Sequence, residues 1–171
     1  KLLNQHALFL LLRSRIMKYM ELTQKLPIFP SDSQETVLRI LSEKCRLLYN
    51  FSLAERNDNW MQNKDKPKKE RKYITYVDQQ NQLPAIKEKY PEYKWVYSKV
   101  LQMNLKKLDV NFKSFRALKK NGDEKAHSPK FKSKKYFTTL CYNQSGFKIT
   151  DSTITFSHKH PSKEALSFVI P

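Results

Sequence analysis

The sequence predicts an α+β fold in which an antiparallel β module is interrupted by a helical insertion of three to four helices. Three observations predict it. Leu101, Leu105, Leu108, Phe112 and Phe115 recur at steps of four, three, four and three, the spacing of one helical face. Ser31 followed by Gln34 forms a capping box that opens a second apolar-periodic run. Phe147 and Ile149, then Ile154, Phe156 and His158, alternate with polar residues on either side of an Asp151-Ser152 turn.

In chain order, residues 1–16 read as an N-terminal extension. Ala7 to Leu12 is a six-residue apolar run, too short to span a membrane, and Met17 is the better natural start. From Met17 to Phe29, Met20, Leu22, Leu26 and Ile28 alternate with Tyr19, Glu21, Thr23 and Lys25. That pattern predicts a half-buried strand ended by Pro27 and Pro30. The helix opened by Ser31 carries Val37, Leu41, Cys45, Leu48 and Phe51 on one face and is expected to reach about Trp60. Lys64 to Lys72 holds six Lys/Arg around Pro67 and reads as a loop. A helix over Tyr76 to Tyr90 is interrupted near Leu83-Pro84 and stopped by Pro91. The long helix follows, with Ser98 as its expected N-cap and Gly122 as its αL stop. Residues 17–30 and 130–171 would then form the β module and 31–122 the insertion. The last strand, Leu166 to Ile170, leaves that module looking unfinished.

The 171 residues include 33 Lys/Arg against 16 Asp/Glu, a net charge of +17, which favours a polyanionic partner. Between Ser98 and Tyr136 there are twelve Lys/Arg and three acids. Two glycines in all exclude phosphate loops, dinucleotide fingerprints and a nucleophile elbow. Cys45 and Cys141 match no metal or redox spacing and suit a reducing cytoplasm. The carboxylate pair Glu88 and Glu92 reads as a solvated helix face. His158 and His160 share one strand face without a third metal ligand beside them. No constellation of nucleophile, base or metal ligands is present, so the chain reads as a binding protein and not as an enzyme.

The expected nucleic-acid-binding residues are Arg46, Arg56, Lys106, Lys107, Lys113, Arg116, Lys119, Lys120, Lys130, Lys132, Lys134, Lys135 and Tyr136. The cations would neutralise phosphate, which gives affinity and shape recognition with little base sequence. Pro129 to Lys132 is expected to form a strand edge, with Phe131 turned to the core and Lys130, Lys132 and Lys134 to phosphate. Tyr136, Phe137 and Tyr142 are the candidates for base stacking, although aromatic residues of a β module more often form core.

Several patches in order resemble the N-terminal part of the transposon-encoded OrfB/TnpB proteins, RNA-guided DNA nucleases related to type V CRISPR effectors. They are Leu26 to Glu35 (LPIFPSDSQE), Cys45 to Arg56 (CRLLYNFSLAER), Leu83 to Pro91 (LPAIKEKYP), Ser98 to Phe115 (SKVLQMNLKKLDVNFKSF) and Pro129 to Lys132 (PKFK). His127-Ser128 departs from the glycine usual before the last motif. The resemblance implies a wedge-like barrel with a recognition-lobe insertion, and guide RNA and target DNA as partners in a prokaryotic, nucleoid-associated setting. It places the catalytic acids with their divalent metal, and the zinc ribbon, further along than Pro171, so no cofactor is expected within this chain. The other reading is a helix-turn-helix protein for double-stranded DNA. Trp95 to Lys120 would then be its recognition helix, with Gln102 and Asn104 near the N-terminus as base readers.

Overall fold

The structure, a computed structural model, describes residues 25–136 and 139–170. Among the described residues it is α+β: four α-helices precede a three-stranded, open antiparallel sheet. Of the strand expected over Met17 to Phe29, residues 17–24 lie outside the described residues. Residues 25–30 are irregular, with Ile28 and Phe29 exposed; Pro27 and Pro30 lack the N–H that a sheet ladder needs.

Helix α1 (Asp32–Asn63) starts as the sequence dictates. The Ser31 hydroxyl accepts from the Gln34 N–H, while the Gln34 side chain accepts from the Ser31 N–H. Asp32 and Glu35 complement the positive end of the helix dipole. Val37, Leu41, Cys45 and Leu48 are buried as expected. Phe51 is instead 57% exposed, because the buried seam shifts sideways to Tyr49, Ser52, Leu53 and Arg56.

The basic loop after α1 is pinned to it. Asn63 donates to Lys72 O and accepts from Lys72 N, and Asn59 reaches Lys72 O and Ile74 N. A second capping box, Thr75 with Asp78, opens α2 (Tyr76–Asn81). Helix α3 (Leu83–Lys89) follows at Pro84, the expected interruption. A short 3₁₀ turn, Pro91–Trp95, leads to α4 (Ser98–Lys120).

The cap of α4 corrects one expectation. Tyr97 is the N-cap and offers no side-chain bond, while the Ser98 hydroxyl accepts from Lys87 Nζ at 2.7 Å. At the other end Gly122, at φ +84°, makes the stop the sequence predicts. Its N–H reaches Lys119 O and the Asp123 N–H reaches Leu118 O, the two bonds of a Schellman motif.

Strands β1 (Phe147–Thr150), β2 (Thr153–Phe156) and β3 (Leu166–Val169) pair in sequence order. Register sets Phe147 beside Phe156 beside Leu166, and Ile149 beside Ile154 beside Phe168, so one sheet face is apolar throughout. Burial grades across it: Leu166 and Phe168 are buried, Ile154 and Phe156 half-buried, Phe147 and Ile149 exposed. The sheet therefore leans on the helices through β3. Leu166 and Phe168 share one core with Val37, Leu41, Cys45, Leu101 and Leu105. Tyr49, Leu53 and Leu108 form a second, smaller cluster. No described helix is long and apolar enough to cross a membrane.

Candidate nucleic-acid interface

Helices α1 and α4 run side by side in the same sense. Asn104 donates to Cys45 O at 2.7 Å, Asn111 donates to the Tyr49 hydroxyl at 3.1 Å, and Arg56 donates to Asp109 at 3.3 Å. With Val100, Leu101, Leu105 and Leu108 buried against this neighbour, the cations of α4 divide among the remaining faces.

One flank carries Lys99, Lys106, Lys113 and Lys120, each seven residues from the next. Seven residues are close to two helical turns, so the stripe drifts by only ~20° per step. At a rise of ~1.5 Å per residue it is about 31 Å long. Lys99, Lys113 and Lys120 are exposed. Lys106 is half-buried with its ammonium 5.0 Å from the Tyr76 ring centre, and Lys113 pairs with Asp109 at 3.0 Å. Lys99 is missing from the residues expected above, although the seven-residue spacing was legible in the sequence.

Lys107 lies exposed on a different flank. Arg116 stands at the mouth of a groove between α1 and α4, and Lys119 donates to Glu124 O at 2.9 Å beyond the helix end. Lys130 is exposed. The main chain of Lys132 is held by α1, and its ammonium sits 5.7 Å from the Tyr49 ring centre. Lys134 and Lys135 are exposed in a 3₁₀ turn, Lys134–Tyr136; the Tyr136 side chain and Phe137 lie outside the described residues.

The expected strand edge at Pro129 to Lys132 is not formed. That segment is irregular, and Phe131 is 59% exposed instead of turned to the core. The reason is Asn50, whose side chain takes the place of a partner strand for Lys132 and fixes the loop on α1.

Two expected contacts serve the fold. Arg46 holds both oxygens of Glu43, at 2.8 and 2.6 Å, and donates to Lys132 O at 2.9 Å. That hydrogen bond keeps the Glu43 carboxyl below its ordinary range, against the opposing pull of burial. Arg56 is buried, with Nε on Gln79 at 2.9 Å, Nη1 on Asp109 and its guanidinium carbon 5.5 Å from the Phe112 ring centre. Burial pushes the Asp109 carboxyl up, but the bonds from Lys113 and Arg56 outweigh it and hold the carboxyl low. Gln79 extends this network to Ser52 O and Glu55.

Asn104, a base-reading candidate in the duplex-DNA reading, is buried and bonded to Cys45 O, and Trp95 belongs to the turn before α4. Tyr142 stacks with Tyr97 and tilts onto Phe156 within the core, and its hydroxyl donates to Ser157 O. His158 Nδ1 accepts from the His160 N–H, which leaves its Nε2 as donor to Glu164 O. Both histidines thus shape the β2–β3 loop. Among the described residues no group of three or more His, Cys, Asp or Glu could hold a metal. Burial pushes the Cys45 thiol up to about 12, which makes it inert at neutral pH.

Residues 17–65 match the model of a helix-turn-helix domain, that of the OrfB proteins of IS605-type elements. The match supports, over the front of the chain, the resemblance drawn from the ordered motifs. Its described part is the irregular 25–31 followed by the uninterrupted α1. Among curated proteins none matches the chain.

Proposed function

We propose that this chain, with its OrfB-type helix-turn-helix segment at residues 17–65, is the nucleic-acid-binding front portion of an RNA-guided DNA endonuclease. It binds guide RNA, and guide paired to target DNA, through phosphate; catalysis belongs to other parts of such proteins. The observation that carries this reading is the stripe Lys99, Lys106, Lys113 and Lys120, about 31 Å of lysine on one face of α4. A linear array of flexible ammonium groups follows a sugar-phosphate backbone and reads its shape, not its bases. The net charge of +17 supports the same partner class.

The test is the salt dependence of binding to a structured RNA. Log affinity falls with log salt by about 0.9 per neutralised phosphate on a duplex, so four contacts give a slope near −3.6. A slope near zero overturns the proposal.

The helix-turn-helix match favours a second reading, binding of double-stranded DNA. Competition of duplex DNA with structured RNA at equal salt separates the two. Displacement of the RNA by a short, sequence-matched duplex would favour the second.

A further inference from the structure

A groove of about 820 Å³ lies between the C-terminal halves of α1 and α4. That is within the range of about 300–1,000 Å³ for sites that enclose small ligands. Its walls are aromatic: Trp60 and Tyr73 are 54% and 48% exposed, and Phe112 and Phe115 are half-buried. The Arg56 side chain, 8% exposed, lines the same groove. Two of its nitrogens are engaged by Gln79 and Asp109, but Nη2 is buried and meets no acceptor among the described residues. A buried donor without an acceptor is uncommon in a folded protein.

We infer that this groove receives one unpaired nucleobase of the bound nucleic acid, stacked on Trp60 and the facing aromatic rings, with a base acceptor on Arg56 Nη2. The leftover donor selects this occupant. Gln79 and Asp109 already engage two of the guanidinium nitrogens, so the third is completed by a single acceptor such as a base carbonyl. Arg116, exposed at the mouth, and Lys64, with Nζ 6.0 Å from the Trp60 ring centre, are placed for the phosphates on either side. A paired base has both faces covered by its neighbours in the stack, so only a looped-out or single-stranded base can enter. The inference rests on the nucleic-acid reading above and adds a base-binding site to a phosphate-binding one.

The test uses the whole chain and two hairpin RNAs of identical phosphate count, one with a uridine loop and one whose loop is abasic. The abasic loop is expected to bind about 5- to 150-fold more weakly, the ~1–3 kcal/mol worth of one stacked base. Trp60→Ala is expected to bring the uridine-loop RNA down to the abasic level, leaving the abasic RNA and the salt slope unchanged. Phe115→Ala serves as the second variant, and far-ultraviolet circular dichroism checks both folds. A 5-iodouridine in the loop is expected to cross-link within the groove, at Trp60 or Tyr73. Equal binding of the two RNAs with the salt slope preserved overturns the inference and leaves the phosphate reading standing; a groove filled by a peptide segment would give this result. Loss of salt-dependent binding to both RNAs overturns the two together.

Discussion

Asn50 grips the main chain of Lys132 at both ends: its amide donates to Lys132 O at 2.9 Å and its carbonyl accepts from Lys132 N at 2.8 Å. One helix side chain thus completes a backbone pair that a strand would otherwise supply, and Arg46 adds a bond to the same carbonyl. Replacing Asn50 by Ala leaves the Lys132 N–H unpaired in a half-buried place. We expect a loss of about 1–2 kcal/mol, at the lower end for an orphaned donor because water reaches part of the site. In the variant the Lys132 segment should exchange with solvent faster than in the wild-type chain, measured by hydrogen-exchange mass spectrometry of the 126–135 peptide. Unchanged protection would show that the loop is held by other contacts.

The Arg56–Asp109 pair makes a pH-dependent prediction. Asp109 is 11% exposed and its carboxyl is held below its ordinary value of 3.8. A depressed carboxyl contributes stability that is fully present above its unfolded pKa and lost as pH falls through the lower folded value. Glu43, lowered chiefly by the Arg46 hydrogen bond from an ordinary 4.5, acts with the same sign. Stability should therefore be flat from neutral pH to about pH 5 and fall below about pH 4. Asp109→Ala should cost about 3–5 kcal/mol at pH 7, since it strands a buried guanidinium, and should flatten the acid limb. Urea midpoints at pH 7 and pH 3 would check both. A variant that keeps the wild-type acid limb would place the transition elsewhere.

The helices were legible because their causes are local. The capping box at Ser31, the Pro84 interruption and the Gly122 stop each act within a few residues. The same holds for the β1–β2 hairpin, whose alternation crosses a turn at Asp151-Ser152. What escaped depends on distance along the chain. Arg56 reads as a phosphate contact or as the partner of a local acid such as Asp58 until Asp109, 53 residues away, is beside it. Phe131 reads as core in a strand edge, but Asn50, 82 residues before Lys132, removes the need for a strand. Phe51 went astray for a smaller reason: the seam of a 32-residue helix drifts, and α1 changes its buried face midway. The seven-residue lysine spacing needed no tertiary information, only attention to the polar face as well as the apolar one.

The stripe predicts a graded effect. Lys99→Ala and Lys120→Ala, both at exposed positions, should each make the salt slope on a structured RNA shallower by about 0.9 and barely change stability. Lys107→Ala, on another flank, should leave the slope unchanged. Lys113→Ala should do two things, reduce the slope and weaken the Asp109 network by at most about 1 kcal/mol, since Lys113 itself is 62% exposed. Equal effects at Lys99 and Lys107 would mean diffuse attraction and no defined track.

Gly146 joins the sheet to α4 and predicts the largest effect of a single methyl group. At φ +86° it occupies the left-handed region that glycine adopts without strain. An added Cβ would also fall within the Tyr97 ring, which lies against this glycine and stacks on Tyr142. The ring can move only by disturbing that stack or the contact of Tyr142 with Phe156. Gly146→Ala combines a backbone cost of about 1 kcal/mol with overpacking of about 1–3 kcal/mol, or roughly 2–4 kcal/mol together. Gly122, also at positive φ, has nothing near its Cβ position, so Gly122→Ala should show the backbone cost alone, about 1 kcal/mol. Chemical denaturation of the two variants side by side measures the packing part as their difference. A difference near zero would mean that Tyr97 yields freely and that the seating of β1 on the start of α4 is soft.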